Sequence, residues 1–268
     1  MITLTGIYIY PIKSLQGISL SQSDLERRGL QHDRRMMLVD AQGRFLSQRE
    51  LPQMAQLRVE RVGESLTIET AQGEKLSVPL QPESGQELPV QVWNSISPAW
   101  AVSAEADQWF SAHLGLPCQL VYQPPQALRA TNPAFAPGHS VSFADGYPFL
   151  FSSESSLADL AANNAKSTPP LQMRAFRPNL VFSGALAWAE KDWQQLQLGE
   201  ITFELVKPCT RCVIVTQDPL TGKSLHPTLL KELNQKQSWR GEPVFGINAV
   251  TQAESGRVHV GDLLTPNV

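Results

Sequence analysis

Lys207-Pro208-Cys209-Thr210-Arg211-Cys212 sets two thiols at C-x-x-C spacing around an arginine, and the apolar, β-branched run Val213-Ile214-Val215-Thr216 follows. A Pro/Gly turn, Asp218-Pro219-Leu220-Thr221-Gly222, breaks that run. A neighbouring guanidinium favours the thiolate, the form that attacks electrophiles or binds metals. Cys118 is the one other cysteine. Three readings of the pair compete. A structural zinc site needs about four ligands, but no second C-x-x-C or H-x-x-x-H pair exists, and the histidines are scattered at 32, 113, 139, 226 and 259. A thioredoxin-type dithiol sits where a strand passes into a helix, whereas Val213 to Thr216 reads as continuing strand. Two incidental buried cysteines are the plain alternative, and it suits Cys209.

The rest of the chain must position those thiols. Its 20 prolines and 17 glycines, spread over 268 residues, favour many turns and short strands. A net charge of −3 argues against a general nucleic-acid binder, so any anion site must be built locally from a few Lys and Arg. No apolar stretch approaches the roughly 18 residues of a membrane span. The start, Met1 to Tyr8, alternates like a strand and lacks the basic opening of a signal peptide. Three cysteines make no secreted disulfide framework, and a reducing cytoplasm is the expected compartment.

The first ninety or so residues read as β: Leu4 to Tyr10, Arg35 to Asp40 with a return at Phe45 to Gln48, Leu57 to Val62 and Leu66 to Glu69. Ser103 to His113 is expected as a helix capped by Ser103 and ended by Gly115. Gln123 to Gly138 is rich in proline and marks a loop or junction, which sets a boundary near residue 122. Beyond it come strands at Tyr147 to Phe151, Asn179 to Phe182, Ile201 to Leu205 and Arg257 to Val260, with helices at Leu157 to Asn163 and His226 to Leu233. The expected fold is mainly β (α+β), with two β-barrel-like domains, 1–122 and 123–268, and a few peripheral helices.

A further set of motifs occurs in order. Tyr10-Pro11-Ile12-Lys13-Ser14, Gly29-Leu30 with Asp33-Arg34, and Phe45-Leu46-Ser47-Gln48-Arg49 with Leu51-Pro52 come first. Phe143-Ala144-Asp145-Gly146-Tyr147-Pro148, Ser156-Leu157-Ala158-Asp159-Leu160 and Phe176-Arg177-Pro178-Asn179 follow. The cysteine element, Pro243-Val244-Phe245-Gly246 and Val260-Gly261-Asp262 close the series. Each motif alone is weak. The ordered set resembles the MOSC family (molybdenum cofactor sulfurase C-terminal domain), preceded by the β-rich domain found in one branch. That branch includes the mitochondrial amidoxime reducing component and bacterial YcbX-type reductases of N-hydroxylated compounds.

The resemblance implies a molybdenum-cofactor oxidoreductase that reduces N-hydroxylated compounds, with Cys212 as the protein ligand of molybdenum. A soft thiolate suits a metal already held by a pterin dithiolene. Lys13, Ser14, Arg34, Arg177 and Asn179 match the family's cofactor-binding positions, and Arg211 is expected as a site-shaping cation. Singly, these cations read as ordinary surface charges. Together they suit a phosphate-bearing pterin, which arginine binds through paired hydrogen bonds, in a cleft between both domains. Cys209 is expected as a structural neighbour, Asp218 as a turn-former, and Asp145 as a candidate through its motif. Nothing ties His139 or His226 to the site, and the tryptophans are expected as core or cover.

YcbX-type relatives often carry a ferredoxin domain, but this chain runs to Val268 without cysteines for a cluster, so a separate ferredoxin or flavoprotein is the expected electron donor. The alternative is a cofactor or sulfur carrier, with a persulfide on Cys212. Pyridoxal phosphate is expected only by association with the sulfurases' other domain.

Overall fold

The computed structural model describes residues 1–163 and 170–268. Seven strands close a barrel. Around the ring they are Phe149–Ser153, Leu180–Ser183, Ile2–Ile9, Leu263–Asn267, Gln195–Leu198, Ile201–Thr210 and Glu242–Val250, and the last pairs back onto the first. All neighbours are antiparallel except Phe149–Ser153 with Leu180–Ser183. Closure leaves no exposed edge in the ring. Leu4, Ile7, Phe149, Phe151, Phe182 and Phe203 fill the interior, with Phe203 meeting Phe149 and Phe151 edge-on at 5.1 Å each.

The second unit is a half-barrel. Its four-stranded sheet runs Met36–Val39, Gln119–Tyr122, Ser95–Ala101, Glu87–Val92, beside a meander of Arg58–Val62, Ser65–Glu69 and Lys75–Pro79. Helix Ala104–Leu114 covers it with Ala106, Phe110 and Leu114. Ser103 Oγ caps that helix by accepting from Ala106 N at 3.1 Å, and Gly115 ends it at φ 74°. The fold is thus mainly β, with three α-helices among the described residues.

The chain crosses between the units where the candidate cations lie. Ile2–Ile9 belongs to the closed barrel, and Gln22–Glu26 with Gly29–Leu30 pairs with Ser255–His259 near the other end of the sequence. Ile12 then bridges Met36, and Lys13 N donates to Met36 O at 2.8 Å. Lys13, Ser14 and Arg34 therefore sit on short connections tied to both units.

Several expectations are corrected. Val213–Thr216 is a single turn of 3₁₀ helix, not strand; the strand ends at Thr210, and Cys212 is extended at φ −118°, ψ −179°. Burial overrides β propensity here: Val215 packs with Leu229, Leu233 and Phe245, and Thr216 Oγ1 donates to Val213 O at 2.7 Å. One such turn carries little macrodipole, so the change does not create a thioredoxin-like thiol. Phe45 makes only an isolated bridge to Val39 instead of a return strand. The helices at 154–163 and 229–236 are each shifted about three residues from the expected starts. Gln22–Glu26 was not expected; its polar sequence is held by pairing and by Arg257 Nε on Asp24 Oδ1 at 2.6 Å.

Candidate cofactor site

The cysteine strand changes character as it approaches the cleft. It alternates buried and exposed through Glu204, then turns half-buried, with register shifts at Leu205/Lys207 and Pro208/Thr210 against Glu242–Val250. Such irregularities re-aim side chains next to functional sites. Here they carry Cys209, Thr210, Arg211 and Cys212 to one cleft, which Lys13, Ser14, Arg34, Arg177 and Asn179 also line. The structure therefore brings all seven candidate residues together. Asp145, a candidate through its motif, also lines the cleft, and the structure adds Arg49 and Asn248, whereas Asp218, His139 and His226 lie outside it.

Tyr10 organises one wall. Its buried ring lies between Arg34 Cζ and Arg177 Cζ, each 4.2 Å from the ring centre. Tyr10 N donates to Asp33 Oδ1 at 2.8 Å, and its hydroxyl donates to Pro178 O at 3.1 Å. Burial pushes the phenol up to about 12 against the pull of the two arginines, so it stays neutral. Arg34 Nη1 meets the buried Asp33 Oδ2 at 2.6 Å and Asn179 Oδ1 at 3.2 Å, while Nη2 donates to Arg177 O at 3.1 Å. Burial opposes the Arg34 charge, but Asp33 and Tyr10 outweigh it and raise its pKa above the ordinary value. For Arg177, burial reinforced by Arg34 brings the pKa down to about 10, which leaves it charged at neutral pH. Its Nη1 donates to Leu15 O at 2.8 Å.

Asn179 is 2 % exposed and mostly engaged in structure. Its Oδ1 also accepts from Leu150 N at 3.2 Å and its Nδ2 donates to Tyr8 O at 3.2 Å, which leaves one side-chain N–H for a ligand. Ser14, Arg34 and Arg177 hold left-handed backbone, at φ 68°, 49° and 51°. Such residues cost roughly 1–3 kcal/mol each and tend to cluster at functional sites.

On the other wall, Lys13 is 6 % exposed and donates to Phe143 O at 2.9 Å and Asp145 Oδ1 at 2.5 Å. Burial brings its pKa down to about 8 although Asp145 opposes the fall. Asp145 keeps 63 % of its side chain open to the cleft. The packed surroundings work to raise its pKa, but Lys13, Arg49 and the Trp93 indole hold it well below the usual carboxylate range. Because the carboxylate faces the cleft, the cations more than dehydration set its state.

The two thiols face separate cations. Arg211 Nη1 donates to Cys209 Sγ at 2.9 Å and Nη2 to Phe176 O at 2.5 Å. Arg49 Nη1 lies 3.6 Å from Cys212 Sγ. Among the described residues no group of three or more His, Cys, Asp or Glu is placed to hold a metal; of the two sulfurs that line the cleft, Cys209 Sγ is engaged by Arg211 and Cys212 Sγ faces Arg49. The charges do not balance. Asp145 pairs with Lys13 and Asp33 with Arg34, but Arg49, Arg177 and Arg211 have no carboxylate partner among the described residues. Arg211 Nε is also buried without a hydrogen-bond partner among the described residues. This donor set fits a polyanionic group carrying a metal that takes one thiolate from the protein.

Sequence reasoning missed Arg49 and treated Trp93 as core or cover. Trp93 is 46 % exposed, and its Nε1 donates to Asp145 Oδ1 at 3.2 Å. The available signal for Arg49 was a polar Ser47-Gln48-Arg49 directly after apolar Phe45-Leu46. Asp218 does form its turn, accepting from Leu220 N and Thr221 N at 2.9 and 2.8 Å.

A closed barrel beside a half-barrel, with the Cys209 to Cys212 element in a cation-lined cleft between them, defines a two-unit β protein of the MOSC type. Residues 1–117 match the MOSC N-terminal beta barrel domain and residues 138–265 the MOSC domain. The chain is 30 % identical to mitochondrial amidoxime-reducing component 1 of Mus musculus, over 97 % of this chain and 81 % of that one. It is 28 % identical to the Homo sapiens protein of that name over the same shares. Molybdenum cofactor sulfurase of Oryza sativa subsp. japonica is 29 % identical over 92 % of this chain, which spans 32 % of that longer protein. The chain belongs to the family of MOSC proteins with an N-terminal MOSC barrel, and its function lies among that family's molybdenum-cofactor-related functions.

Proposed function

We propose that the protein is a molybdenum-cofactor-dependent reductase of N-hydroxylated compounds, supplied with electrons by a separate ferredoxin or flavoprotein. The observation that carries this reading is the meeting in one cleft of three guanidiniums that lack an ion-pair partner among the described residues, Arg49, Arg177 and Arg211, with the Cys212 sulfur, while the neighbouring Cys209 sulfur is engaged by Arg211. When bound, the cofactor supplies the two-electron redox chemistry that breaks an N–O bond. Cys212 would offer one thiolate to the metal. Arg177, Arg211 and Arg34, with the remaining N–H of Asn179 and the Ser14 backbone, would hold the anionic pterin. Lys13 and Asp145 keep a proton-bearing pair at the cleft surface, where Asp145 stays ionised. The names of the relatives, which refer to amidoxime reduction, support the substrate class.

Assay of purified protein from a cofactor-competent host, with an artificial electron donor and a benzamidoxime-type substrate, tests the reading. Reduction to the amidine is expected, and its loss in Cys212→Ala. The sulfurase relative favours a second reading, in which Cys212 carries sulfur as a persulfide. Labile sulfur on Cys212 without retained molybdenum and without N-reduction would favour that carrier.

A further inference from the structure

Arg49 is the only cation that the half-barrel loop 45–49 sends to the cysteine. Its guanidinium is fixed before any ligand arrives. Arg49 Cζ lies 4.6 Å from the Trp93 ring centre and 5.7 Å from that of Phe45, and those two rings meet edge-on at 5.1 Å. The loop behind it is fastened on both sides: Gln48 Nε2 donates to Ser14 O at 2.6 Å, and Gln48 O accepts from Gln217 Nε2 at 3.4 Å. Asp145 feels the charge of Arg49, but among the described residues no carboxylate lies within ion-pair distance of it. Its Nη1 instead points to Cys212 Sγ at 3.6 Å, within reach of a sulfur hydrogen bond.

We propose that Arg49 is a positioning residue for the Cys212 sulfur, with Trp93 as its clamp; the inference rests on the reading of Cys212 as the molybdenum ligand. A donor on a ligating sulfur fixes its orientation and draws electron density from it. It thereby favours the reduced, more negative state of the centre, since hydrogen bonds to sulfur help set redox potentials. The planar fork of arginine keeps one N–H on the sulfur while its face lies on the indole, a combination that lysine cannot reproduce. The half-barrel thus acts on the metal centre through one side chain, without supplying a ligand.

The test is an electron paramagnetic resonance titration against potential, on cofactor-loaded wild type, Arg49→Lys and Arg49→Met, with molybdenum content measured on the same samples. Arg49→Met is expected to shift the midpoint downward, alter the signal and weaken molybdenum retention about 10- to 100-fold. Arg49→Lys should fall between, because it restores the charge without the fork. If Arg49→Met does not fold, Arg49→Lys and Trp93→Leu decide the matter, each with a smaller downward shift. Wild-type midpoints and signals in every folded variant would overturn the role of Arg49 alone. A wild type without molybdenum would overturn the function on which it rests, and this inference with it.

Discussion

Replacing Asp33 with asparagine sets stability against anion affinity. The Asp33 carboxylate accepts from Tyr10 N at 2.8 Å and from Arg34 Nη1 at 2.6 Å, with 1 % and 12 % of the two side chains exposed. Asparagine can still serve Tyr10 N through its oxygen, but it turns an NH₂ group toward the guanidinium. Breaking a buried ion pair from one side costs about 3–5 kcal/mol. Asn179 Oδ1 and Arg177 O continue to accept from Arg34, so the lower end, about 3 kcal/mol, is expected for Asp33→Asn. At about 2–4 °C per kcal/mol, the melting temperature should fall by roughly 6–12 °C. The same change leaves Arg34 uncompensated, so inorganic phosphate should bind several-fold more tightly and recover part of the lost stability. Urea denaturation, with and without phosphate, measures both effects. Arg34→Met should also destabilise, and the double variant should cost less than the sum of the single ones. Stability within about 0.5 kcal/mol of wild type, the ordinary range for surface changes, would refute a coupled buried pair.

Lys13 titrates near 8 in the folded protein against an ordinary 10.5, so between those values the unfolded chain binds the extra proton and this group's contribution to stability rises with pH. Phosphate binding should instead weaken as pH climbs through about 8 and the ammonium is lost, and Lys13→Met should flatten that limb in a phosphate-dependent melting series. Asp145, held low, contributes stability above the ordinary carboxylate range that is lost as pH falls below it. Gly222→Ala should cost about 2 kcal/mol or more, because Gly222 has φ 72° and an added Cβ would lie 2.0 Å from Pro52 O. Limited proteolysis of the 218–222 turn, together with the denaturation midpoint, checks that the turn loses its seat on Pro52. Phe203→Ala should destabilise by about 3–5 kcal/mol in chemical denaturation, since it empties the centre of the barrel.

What the chain revealed in advance was local or ordered along its length. Ser103 and Gly115 announced their helix because capping chemistry is local. Lys13, Arg34 and Arg177 were legible only through motif order, since nothing local separates them from surface charges, yet Lys13 is 6 % exposed. Barrel closure was hidden because its pairings, such as Leu4 with Phe182, join segments far apart in sequence. Val213 to Thr216 misled because β-branched residues signal a strand until long-range packing decides otherwise. Arg49 lay within an ordered motif, but its role was hidden, for its contacts with Cys212 and Trp93 arise from the docking of two units.

Metal analysis with electron paramagnetic resonance, on protein from a cofactor-competent host, tests the central claim most directly. Near-stoichiometric molybdenum with a thiolate-ligated signal is expected in wild type, and loss of that signal in Cys212→Ser. A wild type without molybdenum, or Cys212→Ser with the same signal and full N-reductase activity, would contradict the account.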